Sequence, residues 1–169
     1  MIQKRFMKIK NRHRLKSKDI RKLLNELQAS FSCDFFNEKS NVETGEVEDT
    51  KMVFVDNLPC FFYYDNNIFF TLKGLENYGP KEQFVVVDMG AVKFVTNGAD
   101  VMAPGIVDAD ENIFEDDQVW ICDEKNHKAL AVGIALMSGE QMKNEKKGKA
   151  ITIIHYVGDK LWPYVAKSL

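Results

Sequence analysis

The chain has 169 residues, 45% of them hydrophobic, so it can bury a core as one ordinary domain or two small ones, and disorder throughout is excluded. A formal net charge of -2 excludes a uniformly basic nucleic-acid binder, although a total conceals where the charges lie. Cys33, Cys60 and Cys122 are scattered without a CxxC pair, which argues against a disulfide framework or zinc knuckle and fits a reducing cytosol. No apolar run approaches the roughly 20 residues that span a bilayer, and no hydrophobic secretion segment follows the basic start, so a cytoplasmic protein with no membrane partner is expected.

In chain order, residues 1–22 carry ten Lys or Arg against Asp19 alone, a net charge near +9. The cluster Lys4, Arg5, Lys8, Lys10, Arg12, His13, Arg14, Lys16 and Lys18 is dense enough to neutralise several phosphates without reading sequence. Residues 5–10 alternate as a short strand. Ser17 offers an oxygen for a helix start, and Ile20, Leu23, Leu24 and Leu27 recur at helical spacing to about Phe31. Seven acidic residues then fall between Asp34 and Asp56, against Lys39 and Lys51; this segment either attracts the basic one or faces another partner. Within it, residues 37–50 read as a polar loop or hairpin tip around Gly45.

Strand signals cover residues 51–55, 60–64 and 67–72, and the Asp65-Asn66-Asn67 cluster suits a tight hairpin. So many aromatics (Phe54, Phe61, Phe62, Tyr63, Phe69, Phe70) need a cover, which the preceding helix supplies. A helical or turn segment at 72–78 leads to Gly79-Pro80, which places a boundary between residues 1–82 and 83–169. Beyond it, runs at 84–87, 92–95, 118–122, 129–136 and 150–155 are short and β-prone, as in a small sandwich or barrel.

The wording GAVKFV (90–95), NGADVMAPGI (97–106), DDQV (116–119), AVG (131–133) to Met137-Ser138, KGKA (147–150) and HYVGDKLW (155–162) resembles the PUA domain, an RNA-binding module. The layout before it is similar to the domain preceding PUA in the malignant-T-cell-amplified and translation-machinery-associated family, of archaeal or eukaryotic type. The resemblance implies an α+β protein: a small N-terminal α/β domain with an antiparallel sheet, then a PUA pseudo-β-barrel. It implies a short helix from about Lys93 to Asn97-Gly98, with Gly98-Ala99 as a ledge where exposed N–H groups meet a phosphate or ribose. Lys93, Asn97, Lys147, Lys149, Ile151, Ile153 and His155 join that platform, although His155 could equally be a buried hydrogen-bonding residue and the lysines a solvated turn. A terminal nucleotide could stack on Tyr156, while Leu161 and Trp162 belong to the core.

The implied role is RNA binding in translation, at tRNA (CCA end) or rRNA on the small ribosomal subunit, with initiation as the associated step. A partner of the density-regulated or initiation-factor-like type would supply a further domain in trans. Two rivals stand beside it. One is an RNA-recognition subunit of a tRNA- or rRNA-modifying enzyme, and the other a ribosome-associated adaptor using the aromatic sheet at 61–70 as its contact face. The chain contains no G-x-G-x-x-G, P-loop or H-E-x-x-H motif, and His13, His127 and His155 have no ligand-spaced partners, so no enzyme activity, cofactor or metal is expected. The acidic group Asp108, Asp110, Glu111, Glu115, Asp116 and Asp117 fits no calcium loop and reads as a polar loop.

Overall fold

The computed structural model describes residues 8–167, so Lys4, Arg5 and the first half of the strand expected at 5–10 lie outside the described residues. The first strand described is β1 (Lys10–Arg14), followed by α1 (Ser17–Gln28). Lys16, not Ser17, occupies the cap of α1 and makes no side-chain bond there; Ile20, Leu23 and Leu27 form the buried stripe. Strands β2 (Val42–Val47), β3 (Thr50–Val55), β4 (Leu58–Tyr64) and β5 (Asn67–Phe70) complete an open antiparallel sheet in the order β1-β2-β3-β4-β5. Each hairpin turns on two residues with positive φ, Glu48-Asp49, Asp56-Asn57 and Asp65-Asn66, the geometry that matches strand twist.

Within the stretch 37–50, expected to be a loop or hairpin tip, residues 42–47 form β2 and Glu48-Asp49 the hairpin turn. The strand's acidic residues face β1: Arg12 donates to Glu43 at 2.5 Å and to Asn57 at 2.8 Å, and Asn11 donates to Glu46 at 3.3 Å. The basic and acidic stretches therefore pair with each other. The Arg12 guanidinium beside Glu43 holds that carboxyl below its ordinary range, and the same group stacks 4.7 Å above the Phe54 ring.

Phe61 and Phe70 are sealed on one face of this sheet with Phe31 and Phe35, their own ring centroids 5.2 Å apart, while Phe62 and Phe69 are buried on the opposite face, where Phe62 meets the His155 ring at 5.4 Å. Each buried aromatic contributes on the order of 1.5–3 kcal/mol. The aromatic sheet is thus a core and cannot be the exposed contact face of an adaptor. Helix α2 (Leu72–Tyr78) follows, capped by the Thr71 hydroxyl and stopped at Gly79 in the left-handed region. It lies directly on β4: a side chain at Gly74 would collide with the Cys60 carbonyl oxygen.

The second sheet is mixed and nearly closed. Its elements are β6 (Phe84–Val87), α3 (Met89–Val95), β7 (Val101–Met102), a 3-10 turn (Ala103–Gly105), β8 (Ile106–Ala109), β9 (Gln118–Asp123), β10 (Ala129–Ala135), α4 (Gly139–Asn144), β11 (Lys149–Tyr156) and α5 (Trp162–Ala166). The strand order is β7-β11-β10-β9-β6-β8, with β6 parallel to β9 and the other pairs antiparallel. Its interior is aliphatic, built from residues such as Val85, Val87, Ile113, Ile121 and Ile151.

Side chains from the barrel bind the two sheets together. The Gln118 amide accepts from Phe70 N–H and donates to the Ile68 carbonyl, both at 2.9 Å, standing in for a strand beside β5. Leu72 N–H donates to His155 Nε2 at 3.2 Å, so Nδ1 carries the proton and donates to Asp159 at 2.7 Å. Burial pushes the Asp159 carboxyl up, but His155 and the amides of Tyr156 and Trp162 outweigh burial and hold it below the ordinary value. Leu161 is sealed, whereas Trp162 is half-buried and lines a cleft at the seam with Trp120 and Leu75.

Candidate nucleic-acid interface

Residues 88–105 form one continuous device on the barrel. Asp88 begins α3 by accepting from Ala91 N–H at 2.8 Å, while its own N–H donates to the Gly105 carbonyl, so the Pro104-Gly105 turn is clamped to the helix start. The run at 92–95 is helical, not a strand, and the helix starts at Met89 rather than near Lys93. Its last turn carries Lys93, and the chain leaves through Thr96, Asn97 and Gly98, whose φ is +83°. Glycine adopts that conformation without the steric cost other residues meet.

Asn97 and Ala99 are exposed and Gly98 is half-buried, so the side-chain-poor ledge is at the surface. Its amides are not free. Asn97 and Ala99 donate to the Phe94 carbonyl at 3.1 and 3.0 Å, and Gly98 donates to the Val95 carbonyl at 3.0 Å. The expected main-chain donors are spent on ending the helix, and polar contact with a ligand falls to side chains. Lys93 is exposed beside the Phe94 ring, 5.3 Å from its centroid.

Asp100 ties the ledge to β11 and was not anticipated. One carboxylate oxygen accepts from Ile153 N–H at 3.0 Å, and the other pairs with Lys149 at 2.8 Å. Burial pushes this carboxyl up, yet the Lys149 ammonium and the Ile153 amide outweigh it and keep the group below its ordinary range. Beside the pair opens a cleft of about 690 Å³ lined by Ala91, Phe94, Ala99, Met102 and Pro104. Phe94 is 57% and Met102 49% exposed, more than their chemistry favours unless something covers them. The helical period of α3 would have exposed Phe94 in the sequence, had Asp88 been recognised as its cap.

Ile151 and His155 are corrected. Both are 0% exposed, Ile151 in the barrel core and His155 at the seam, so neither side chain is part of the surface. Ile153 is half-buried on β11, where its N–H donates to Asp100. Lys147 is exposed and has no ion-pair partner among the described residues, as is true of Lys146, whereas Lys143 is paired with Glu111 at 2.8 Å. On the other sheet Lys8, Lys10, Arg14 and Lys16 are exposed, but Arg12 is committed to Glu43 and Phe54. Members of the acidic group make local bonds: Asp110 accepts from Gln83 and Asn112 amides, and Asp117 from Phe114. No group of three or more His, Cys, Asp or Glu among the described residues could hold a metal ion, and no described helix is long and apolar enough to cross a membrane.

A nearly closed mixed barrel with a capped helix and a ledge tied to β11 defines a PUA module carried behind a small α/β unit. Residues 83–157 match the PUA domain, and residues 11–78 match a domain of unknown function (DUF1947). The chain is 48% identical to an uncharacterized protein of Methanocaldococcus jannaschii over 94% of this chain and 99% of that one. It is 32% identical to translation machinery-associated protein 20 of Saccharomyces cerevisiae, over 75% and 74% of the two chains. Among solved structures, a hypothetical protein from Pyrococcus horikoshii superposes with a TM-score of 0.81 at 38% identity, covering 91% of this chain and 99% of that one. A PUA domain from Aeropyrum pernix, crystallised as a tartrate complex, gives 0.84 at 25% identity, covering 96% and 95%. The chain belongs to the PUA-domain family that includes the translation-machinery-associated and malignant-T-cell-amplified proteins.

Proposed function

We propose that the ledge and cleft of the barrel hold the single-stranded 3′ end of a tRNA, the CCA end, while the protein sits on the small ribosomal subunit. At the coarser level, family membership makes this a non-catalytic RNA-binding protein linked to the translation machinery. The observation that carries the finer reading is a cleft lined by Lys149 and by the exposed Phe94 and Met102, with Lys93 exposed beside the Phe94 ring. Cations serve the sugar–phosphate chain and apolar surface serves an unstacked base, the combination that single-stranded RNA ends require. Asn97, Gly98, Ala99, Lys147 and Ile153 complete the contact surface.

Lys8, Lys10, Arg14 and Lys16, on or beside the edge strand β1, form a second cationic surface suited to rRNA phosphates. A cytoplasmic location and a protein partner of the density-regulated or initiation-factor-like type accompany this reading. Crosslinking in cells followed by sequencing of the attached RNA tests it, with Lys93→Glu run alongside. Reads at tRNA 3′ ends or small-subunit rRNA that collapse at least severalfold in the variant are expected. A folded protein yielding only background RNA would contradict the proposal, and reads confined to a modification-guide RNA would favour the modifying-enzyme rival.

A further inference from the structure

With the amides of Asn97, Gly98 and Ala99 turned inward, the ledge has no main-chain donor to offer at these positions. One polar atom reaches it from beneath. A Cβ placed on Gly98 would sit 2.6 Å from Tyr156 Cζ and 2.7 Å from its Oη, so the phenol end lies directly under the glycine. A larger residue at 98 would have to displace that ring, quite apart from the strain of the positive φ.

Tyr156 is held firmly. It ends β11 opposite Ala131, its N–H donates to Asp159 at 3.0 Å, and its ring packs on the aliphatic core of the barrel. The hydroxyl itself has no hydrogen-bond partner among the described residues. It is also not sealed off: the one buried side-chain polar atom without a partner among them is Gln83 Oε1. The ring wedged below Gly98 is therefore poorly placed to stack on a base, while its oxygen stays open at the ledge.

We propose that the Tyr156 hydroxyl binds an oxygen of the sugar–phosphate chain laid across Gly98, supplying the polar contact that the ledge's own amides do not. This rests on the RNA-binding reading of the same ledge. A tyrosine hydroxyl both donates and accepts, so a phosphate oxygen or a ribose 2′-hydroxyl satisfies it. The Gly98–Tyr156 pairing then acts as a gauge: the missing side chain lets the backbone of the nucleic acid come close enough to reach the oxygen.

Fluorescence-anisotropy titration of the full chain tests this, using a labelled single-stranded RNA ending in CCA and the DNA of the same sequence, with wild type, Tyr156→Phe and Lys93→Glu. Tyr156→Phe keeps the ring and should unfold at the wild-type temperature while binding the RNA about three- to tenfold more weakly, the worth of one hydrogen bond. The same loss on DNA assigns the contact to phosphate; a loss confined to RNA assigns it to the 2′-hydroxyl. Wild-type affinity in Tyr156→Phe, with Lys93→Glu still impaired, overturns the role of Tyr156 and leaves the ledge reading standing. Failure of the wild type to bind either oligonucleotide overturns both.

Discussion

The two sheets hide apolar surface with different materials. The N-terminal sheet buries phenylalanines, with Phe61, Phe62, Phe69 and Phe70 all at 4% exposure or less, and the barrel buries Val, Ile and Ala while leaving Phe94 and Phe114 outside. Their ion pairs differ as well. Arg12–Glu43 joins two neighbouring strands, whereas Lys149–Asp100 sits on the lip of a cleft where an incoming anion can compete for the lysine. The proposed RNA contact uses that difference, since Phe94 stands in water between a lysine and the cleft.

Phe61→Ala should disturb the molecule most. Emptying a fully buried site ringed by Phe35, Phe70 and Tyr78 should cost about 3–5 kcal/mol in urea unfolding. A cost below about 1 kcal/mol would mean that the aromatic sheet is not the structural half.

Asp159→Asn addresses the seam between the halves and should cost about 2–3 kcal/mol at neutral pH, because His155 and several amides lose a charged acceptor. Its carboxyl is held below the ordinary value of about 4, so its contribution is complete above that pH and fades as the pH falls through the lowered folded value. Wild type and variant should therefore converge in acid. A stability gap that stays constant from neutral pH down to strong acid would rule the carboxylate out as its source.

Much of the fold was legible because local chemistry agreed with the tertiary outcome. The run 72–78 has a capping Thr71 before it and Gly79 after it, and the helix occupies those residues. Asp65-Asn66 was readable as a turn because Asp and Asn tolerate positive φ. Strand β2 was hidden, since Glu43, Glu46 and Gly45 look like a loop until a basic partner strand lies alongside. In α3 the β-branched Val92 and Val95 suggested a strand, and only the Asp88 cap and the packing of Val95 reveal a helix.

Of the candidate residues the sequence offered, Ala99 and Lys149 line one cleft and Lys93 stands beside its Phe94, but spacing alone cannot say whether an amide faces water or the preceding carbonyl. It also cannot separate His155, 83 residues from Leu72 and bonded to it, from a residue one position away at the surface.

The most direct test is an amide chemical-shift map of the protein titrated with a single-stranded RNA ending in CCA. Shifts concentrated at residues 89–100 and 147–156, weakening as salt is raised, are expected. Shifts confined to the face of β3, β4 and β5, with residues 89–100 unmoved, would contradict the proposed RNA contact.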